Sequence, residues 1–457
     1  MQDLPTFMLL QGEPGFLVPP GSQHLVPVQF DSTGLATGLH EGWVSIKCVT
    51  CRTEATCSQD FQRLHIYMTV EPQAEATFVP GRVLVTIPLD SAEGAKAAAN
   101  KLGSTYGMKV EEVTQLNSLK TALIVYSLPE GADVLKKVTE LGSHALTAQP
   151  DFLYSTSSLV KQATNPPAQL QYGPKLIRAD RLRGTVTGKG IKVALIDTGV
   201  DAGHPALKGK VVEQADMTGR GFTPDVHATL LAGIIAGEAK NGNGISGIAP
   251  GATILAIKAC QPQTPQAVAA QCWSATLARG LDFSIEKKAG IINMSLGGPA
   301  GVEDKLLKRM IDEAVGRSIL IVAAAGNDGP KAKPGFPAAL HNVVAVTAVD
   351  CKEQLYASAT QGDFISLAAP GVEILSASPG GKFLVSSGTS LAAAFVSGTA
   401  ALLRQQQPQL SPQALQALLE HTAKDLGPPG KDPQFGSGLV DACQAVAQLN
   451  GDRKLCR

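Results

Sequence analysis

Three polar side chains stand at places in the sequence where they could act together in nucleophilic catalysis. Asp197 closes a run of apolar residues, His227 lies at the start of a helical stretch, and Ser390 opens a long apolar helix. A serine hydroxyl has a pKa far above neutrality, so it needs a neighbouring base, and the base needs an acid that fixes its tautomer. The three residue types therefore match a nucleophile, a general base and an orienting acid.

The elements that would position these residues follow one another from residue 176 onward, where apolar strands alternate with helical stretches. The predicted strands are continuous aliphatic runs, which is typical of parallel strands covered on both faces. They lie at 191–196, 253–258, 291–295, 319–325, 343–348 and 365–368, and the predicted helices at 227–237, 274–289, 302–317, 389–406, 411–422 and 438–449. This pattern predicts an α/β fold with a doubly wound, mostly parallel sheet, whose site lies at the carboxyl ends of the strands.

Two segments of different pattern precede this domain. Residues 1–75 contain short alternating runs separated by Gly and Pro, which predicts a small all-β sandwich resembling Ig-like accessory domains. Residues 79–155 read as strand, helix, strand, strand, helix, strand, the ferredoxin-like α+β order. Residues 156–175 are rich in Ser, Thr, Gln and Pro and predict a linker to a domain at 176–450.

Composition limits the classes of partner. The chain has 457 residues, with 39 basic and 39 acidic side chains, so no field of one sign favours nucleic acid or an anionic membrane. The longest apolar run, 319–325, is far shorter than the ~18 residues that a membrane span needs. The first residues lack a basic region and a long apolar core, so we expect any export signal to be missing from this chain.

The motifs around the three polar residues resemble those of the subtilisin-like serine peptidases, in the family's order of Asp, His and Ser. The resemblance covers roughly 176–445. The blocks that carry it are Ala-Leu-Ile-Asp-Thr-Gly-Val-Asp at 194–201, Asn-Met-Ser-Leu-Gly-Gly at 293–298, Ala-Ala-Ala-Gly-Asn at 323–327, Ala-Pro-Gly at 369–371 and Gly-Thr-Ser at 388–390. The segment 79–155 independently resembles the inhibitory prosegment of this family.

The resemblance implies further site residues. Asn327 would donate from its side chain to the oxyanion, together with the backbone N–H of Ser390. The edge at 295–298 would pair with extended substrate backbone. The substrate-binding residues implied in this way are Ser295, Leu296, Gly297, Gly298, Ala325, Gly326 and Gly335. Glycine at the floor of the first subsite predicts that a large apolar or aromatic residue is accepted before the scissile bond.

Two motifs depart from the family pattern. The family's His-Gly-Thr-His is His-Ala-Thr-Leu at 227–230, and the residues after Ser390 include Leu391 and Ala394 where the family has Met and Pro. Neither change alters an atom of the Asp-His-Ser set. Leu391 keeps the volume of Met, and Ala394 is a good helix former.

The function implied is a secreted or periplasmic, monomeric serine endopeptidase that cleaves itself from its prosegment within about 154–162. It would act on protein and peptide substrates without a cofactor, and no dense carboxylate loop indicates structural calcium. With neutral His227 as the base, activity should rise with pH through roughly 6–7.

Other functional classes fit the sequence less well. A catalytically silent subtilisin-like scaffold is the alternative, against which the complete set Asp197, His227, Ser390 and Asn327 argues. An α/β-hydrolase needs Ser before Asp and His in the chain. A dinucleotide-binding domain needs a G-x-G-x-x-G motif that the segment after Asp197 lacks.

The eight cysteines leave several chemistries open. Cys48, Cys51 and Cys57, with His65 as the remaining ligand, could hold zinc, form a disulfide or stay as free thiols. Cys260 and Cys272 flank a loop rich in Gln and Pro, which favours a disulfide that closes this loop. Cys443 and Cys456 could form a second disulfide.

Overall fold

The computed structural model describes residues 77–89, 91–144, 146–156, 171–239, 244–262, 269–452 and Cys456, and the backbone of strand 159–163 and of four strands between residues 8 and 70. Contacts divide the chain into two units, residues 1–76 and residues 77–457.

The first unit contains two antiparallel strand pairs. Strand β1 (Met8–Leu10) pairs with β2 (Val28–Phe30), and β3 (Gly38–Lys47) pairs with β4 (Phe61–Val70). That these strands form the two layers of a sandwich stays a prediction. The three cysteines of the predicted zinc site, Cys48, Cys51 and Cys57, lie outside the described residues, as does the side chain of His65.

The segment 77–156 begins the second unit with six elements. They are β5 (Phe78–Pro88), α1 (Ala92–Tyr106), β6 (Lys109–Leu116), β7 (Thr121–Ser127), α2 (Val134–Ser143) and β8 (Thr147–Thr156). Helix α1 begins where the Ser91 hydroxyl accepts the N–H of Gly94 at 3.0 Å, and it ends at Gly107, whose φ of 64° is the left-handed value typical of a helix end. The four strands are antiparallel and lie in the order β8-β5-β7-β6.

The sheet of this segment continues into the rest of the unit. A short hairpin of β13 (Cys260–Pro262) and β14 (Ala270–Trp273) adds two strands beside β8, which gives a six-stranded sheet. Cys260 and Cys272 lie opposite each other in the hairpin and form a disulfide, which confirms the predicted closure of this loop. We name this element the disulfide hairpin.

A seven-stranded parallel sheet forms the centre of the second unit. Its order is β11-β12-β10-β15-β16-β17-β18. The strands are β10 (Lys192–Asp197), β11 (Val211–Asp216), β12 (Thr253–Lys258), β15 (Ile291–Met294), β16 (Leu320–Ala324), β17 (Val344–Val349) and β18 (Leu367–Pro370). The α-helices of this region are α3 (Gly173–Leu176), α4 (Val226–Ala236), α5 (Ser274–Glu286), α6 (Lys305–Gly316), α7 (Thr389–Gln406), α8 (Pro412–His421) and α9 (Ala442–Asn450).

Apolar cores on both faces of this sheet explain the continuous aliphatic runs. In β10, Val193 and Leu195 join the core on one face, whereas Ala194 and Ile196 join the core on the other. Successive side chains of a strand point to opposite faces, so a strand covered on both sides must be apolar at every position. The doubly wound, mainly parallel sheet predicted from the sequence is confirmed.

Some elements were not predicted. β11 has a partly polar sequence and lies at the edge of the sheet, where Val212 and Gln214 are exposed. A hairpin of β19 (Ile374–Ser378) and β20 (Lys382–Ser387) precedes α7, and β9 (Leu159–Ala163) pairs with β20 inside the stretch predicted to be a linker. The second disulfide that the sequence analysis considered, Cys443–Cys456, is present.

Candidate active site

The acid and the base of the predicted triad are in contact. Asp197 is the last residue of β10, and His227 is the second residue of α4. The Nδ1 of His227 lies 2.8 and 2.9 Å from the two carboxylate oxygens of Asp197. Asp197 is fully buried and also accepts the N–H of Thr198 at 2.7 Å. Because a carboxylate can only accept, Nδ1 carries the proton and Nε2 is the basic nitrogen.

A second carboxylate supports the same histidine. Asp225 begins helix α4 and accepts the N–H of His227 at 3.0 Å and the Thr198 hydroxyl at 2.8 Å. Burial of the imidazole opposes its charged form, but the charge and hydrogen bond of Asp197 and the charge of Asp225 together raise the pKa of His227 above its ordinary value. Burial also raises the pKa of Asp225, against the hydrogen bonds from Thr198 and His227.

Ser390 is the second residue of α7, and the residue that precedes the helix has a backbone conformation that only glycine adopts readily. Gly388 has φ 154° and ψ 159° and turns the chain from β20 into the helix. The Ser390 hydroxyl donates to the carbonyl of Ser295 at 3.3 Å. His227 Nε2 is buried and has no hydrogen-bond partner among the described residues. The structure therefore joins Asp197 to His227, whereas the hydrogen bond between His227 and Ser390 is not made.

Asn327 lies against the start of α7. Its Oδ1 accepts the N–H of Thr389 at 3.0 Å and the Thr389 hydroxyl at 3.1 Å. The same Thr389 hydroxyl accepts the N–H of Gly326 at 3.1 Å. A backbone N–H can only donate, so the amide atom facing it is oxygen, and the NH₂ group is the other end of the amide.

The predicted substrate edge pairs with strand β8. Gly297 and Ser155 exchange two backbone hydrogen bonds of 2.9 Å, the pattern of an antiparallel ladder. On its other side, Ser155 pairs with Gln271 of the disulfide hairpin. An extended chain therefore occupies a groove between the 295–298 edge and β14.

Of the remaining predicted site residues, Gly298 and Leu296 belong to the 295–298 edge, Gly335 contacts this edge and Ala325 follows β16. Gly298 donates its N–H to the carbonyl of Phe336 at 2.7 Å, and a Cβ on Gly335 would lie 2.8 Å from the carbonyl oxygen of Gly298. Leu296 is buried beneath the edge, and Ala325 donates its N–H to Val346 at 3.0 Å.

Neither a metal site nor a membrane span is present among the described residues. Within those parts of the chain, no group of three or more His, Cys, Asp or Glu side chains is arranged to hold a metal ion. No helix among them is both long and apolar enough to cross a membrane.

This combination of fold and site places the chain in a known class of hydrolases. The subtilase family matches residues 188–438, more than half of the chain, and the chain belongs to that family. It is a serine endopeptidase of the subtilisin type.

Individual relatives support the same class. Thermitase of Thermoactinomyces vulgaris is 36% identical over 279 residues, which cover 60% of this chain and 95% of thermitase. Subtilisin E of Bacillus subtilis strain 168 is 34% identical over 290 residues, 61% of this chain and 71% of that protein. The structure of fervidolysin from Fervidobacterium pennivorans, described as a keratinolytic enzyme related to subtilisin, matches with a TM-score of 0.66 and 26% identity. That match covers 81% of this chain and 61% of fervidolysin.

Three residues with evident roles at the site were not predicted from sequence. Thr198 links two carboxylates, Asp225 supports His227, and Thr389 holds the Asn327 amide. An Asp just before an apolar helical stretch is a helix-cap signal, and this signal could have identified Asp225.

The raised pKa of His227 predicts the pH dependence of catalysis. The base acts only when neutral, so activity appears above its pKa, and we expect the rising limb of kcat/KM to have its midpoint above the ordinary histidine value of about 6.5. Asp225→Asn should move this midpoint to lower pH, because asparagine still caps the helix but carries no charge. A midpoint that Asp225→Asn leaves in place would contradict the role of Asp225.

Proposed function

We propose that this endopeptidase uses Asp197, His227 and Ser390 as its triad and is synthesised as a zymogen that the segment 77–156 inhibits until the enzyme cleaves itself. The observation that carries the proposal is the path of the chain through the site. Before residue 157 the chain pairs with Gly297, and from residue 159 it pairs as β9 with β20, the strand that leads into Ser390. The chain therefore enters and leaves the site as a bound substrate would.

In the proposed reaction each polar group of the site has its own role. The Ser390 hydroxyl leaves the Ser295 carbonyl and attacks the substrate carbonyl carbon, and its proton passes to Nε2 of His227. Asp197 stabilises the imidazolium, while the amide NH₂ of Asn327 and the N–H of Ser390 donate to the oxyanion. The imidazolium then protonates the leaving amine, and an acyl-enzyme remains. Water attacks the acyl-enzyme by the same route, with His227 again as base, and the carboxylic acid product and free Ser390 are released.

Hydrogen bonds at the starts of two helices support the inhibitor role. The first N–H groups of a helix have no partner within it. Asp151 accepts the N–H of Ala275 in α5 at 3.0 Å, and Gln149 accepts the N–H of Leu306 in α6 at 2.9 Å. The segment thus satisfies backbone donors of the peptidase, which would stabilise α5 and α6 while the domain folds.

The ladder also supports a position for self-cleavage. Ser155 pairs with Gly297, so a substrate bound in the same antiparallel register would place the residue two positions later against Ser295, whose carbonyl contacts Ser390. We place the cleaved bond after Ser157, although residues 157 and 158 lie outside the described residues. A serine before this bond implies that the first subsite, with Gly335 at its floor, accepts small side chains as well as the large apolar ones predicted.

The setting proposed is extracellular or periplasmic, with the enzyme as a monomer. Two disulfides support an oxidising compartment, because such bonds are rare where thiols are kept reduced. One relative, of which this chain covers 38%, is called minor extracellular protease Epr, and another is called intracellular serine protease.

A fluorophosphonate probe tests the proposed nucleophile directly. The processed protein should become labelled on Ser390, as mass spectrometry of its peptides would show, and His227→Ala should label far more slowly. A peptide library read on the same preparation should favour large apolar residues before the cleaved bond. Absence of labelling would support the catalytically silent scaffold instead, and a strict preference for Arg or Lys would contradict the subsite assignment.

A further inference from the structure

A buried carboxylate lies beside the substrate groove but outside the triad. Asp304 is 1% exposed and begins helix α6, where its Oδ1 accepts the N–H of Leu307 at 3.0 Å. One oxygen is sufficient for this helix cap. The other oxygen, Oδ2, faces side chains from two other parts of the chain.

The ring of Tyr154 fills the space between Asp304 and the substrate edge. Tyr154 is 2% exposed, and a Cβ on Gly298 would lie 2.3–3.0 Å from three of its ring atoms. The ring of Phe336 meets it nearly edge-on, with centroids 6.2 Å apart. Because Gly298 has no side chain, the edge leaves a pocket that holds an aromatic ring.

The hydroxyl of that ring reaches the carboxylate. Tyr154 donates to Asp304 Oδ2 at 2.9 Å, and the Ser274 hydroxyl donates to the same oxygen. Burial and the charge of Asp304 raise the pKa of Tyr154 well above its ordinary value, so the phenol keeps its proton and acts as donor. Gln149 donates to Oδ1 at 2.8 Å.

Departure of the segment 77–156 removes two of these donors. Asp304 then loses the hydrogen bonds from Tyr154 and Gln149 and keeps those from Ser274 and Leu307. A phenylalanine ring placed in the pocket would cover the carboxylate without a donor, which is costly for a buried charge. The hydroxyl of a tyrosine in the pocket would instead donate to Asp304, as that of Tyr154 does.

We propose that Asp304 makes this pocket a subsite for tyrosine, so that the enzyme selects extended peptides with a phenolic side chain four residues before the cleaved bond. This inference rests on the function proposed above, because the substrate must pair with Gly297 as Ser155 does and be cut two residues beyond that pairing. Asp304 is then a specificity-determining residue, and Tyr154 is the first phenol that the subsite binds.

The test compares quenched fluorescent peptides that differ only at this fourth position. The processed wild-type enzyme should hydrolyse the Tyr peptide with a kcat/KM about 10- to 100-fold above that of the Phe peptide, the range expected for a hydrogen bond to a charged group. A 4-aminophenylalanine peptide, which also has a donor, should lie nearer to Tyr than to Phe. The same Tyr-to-Phe exchange at the third position serves as the control and should change little.

Substitution of the carboxylate gives a second measurement. In Asp304→Ser the hydroxyl can cap α6, but no second oxygen is left to accept from the phenol. The ratio of kcat/KM for the Tyr peptide to that for the Phe peptide should therefore fall to about threefold or less. Asp441→Ser, at the start of α9, makes the same exchange away from the groove and should keep the preference.

Two results would overturn the inference in distinguishable ways. Equal hydrolysis of the Tyr and Phe peptides by wild type, or a full Tyr preference in Asp304→Ser, would remove the subsite assignment alone. Hydrolysis of neither peptide by wild type would remove the proposed function and the subsite with it.

Discussion

The Ser390→Ala chain should accumulate at full length, with residues 77–156 attached, while the wild-type chain yields a mature fragment that begins near Ser158. The reason is that the bond proposed for cleavage joins two strands that pair on either side of the nucleophile, so the chain's own Ser390 is the group placed to attack it. Intact mass and N-terminal peptides, measured after expression in a host without similar proteases, give both the extent and the position of cleavage.

The matched control is Ser104→Ala, which removes an exposed serine on α1 and should leave processing unchanged. Equal processing of Ser390→Ala and wild type would defeat self-cleavage. The folding role of the segment is tested separately, by expressing the chain from residue 160. Full activity of that shorter chain would show that the peptidase folds without the hydrogen bonds given to α5 and α6.

Asn327→Ala should reduce kcat by about 10²–10³, equivalent to about 3–4 kcal/mol of transition-state stabilisation, with little change in KM. The expected effect on kcat but not on KM follows from the geometry of the Asn327 amide. Its oxygen is engaged by the N–H and hydroxyl of Thr389, so the NH₂ group is held in place before any charge develops on the substrate. Such a donor acts mainly on the oxyanion, which exists only in the transition state and the intermediate.

Thr389→Val provides the comparison for Asn327. It removes one of the two hydrogen bonds to Oδ1 and keeps the backbone N–H, so the loss of kcat should be clearly smaller than for Asn327→Ala. Turnover of Asn327→Ala equal to that of wild type would remove Asn327 from the oxyanion hole. Steady-state kinetics on one peptide substrate is sufficient for all three proteins.

Sequence patterns predicted the parallel sheet well because most of its strands are continuous apolar runs that are visible within a few residues of sequence. The run around Leu195 is apolar at every position, as burial on both faces requires, and its end at Asp197 marks the edge where the site lies. The same reasoning missed β9 and β20, whose pairing joins residues more than two hundred positions apart. Short strands of mixed polarity are stabilised by the strand with which they pair. Local sequence patterns cannot indicate that strand when it lies far away in the chain.

The fine geometry of the site was beyond prediction for a related reason. Asp304 reads as an ordinary helix cap until Tyr154, from a distant segment, is placed beside it. The bond from Ser390 to the Ser295 carbonyl depends on the orientation of one hydroxyl, which residue identity does not determine. The order of Asp, His and Ser in the chain predicts a triad, but it does not predict the distances between these residues.

The disulfide hairpin has a consequence for the kind of protein that this enzyme can digest. Ser155 lies between Gln271 of the hairpin and Gly297, so the backbone in the groove is bonded along both of its edges. Once the segment 77–156 is removed as proposed, a two-stranded hairpin alone would be only marginally stable, and the Cys260–Cys272 bond keeps its strands together. A polypeptide that enters this position must arrive with the N–H and C=O groups of both edges unengaged. In helices and in the interior strands of sheets, the backbone N–H and C=O groups are already hydrogen-bonded. We therefore expect intact folded domains to resist cleavage, whereas denatured chains and exposed loops should be cut.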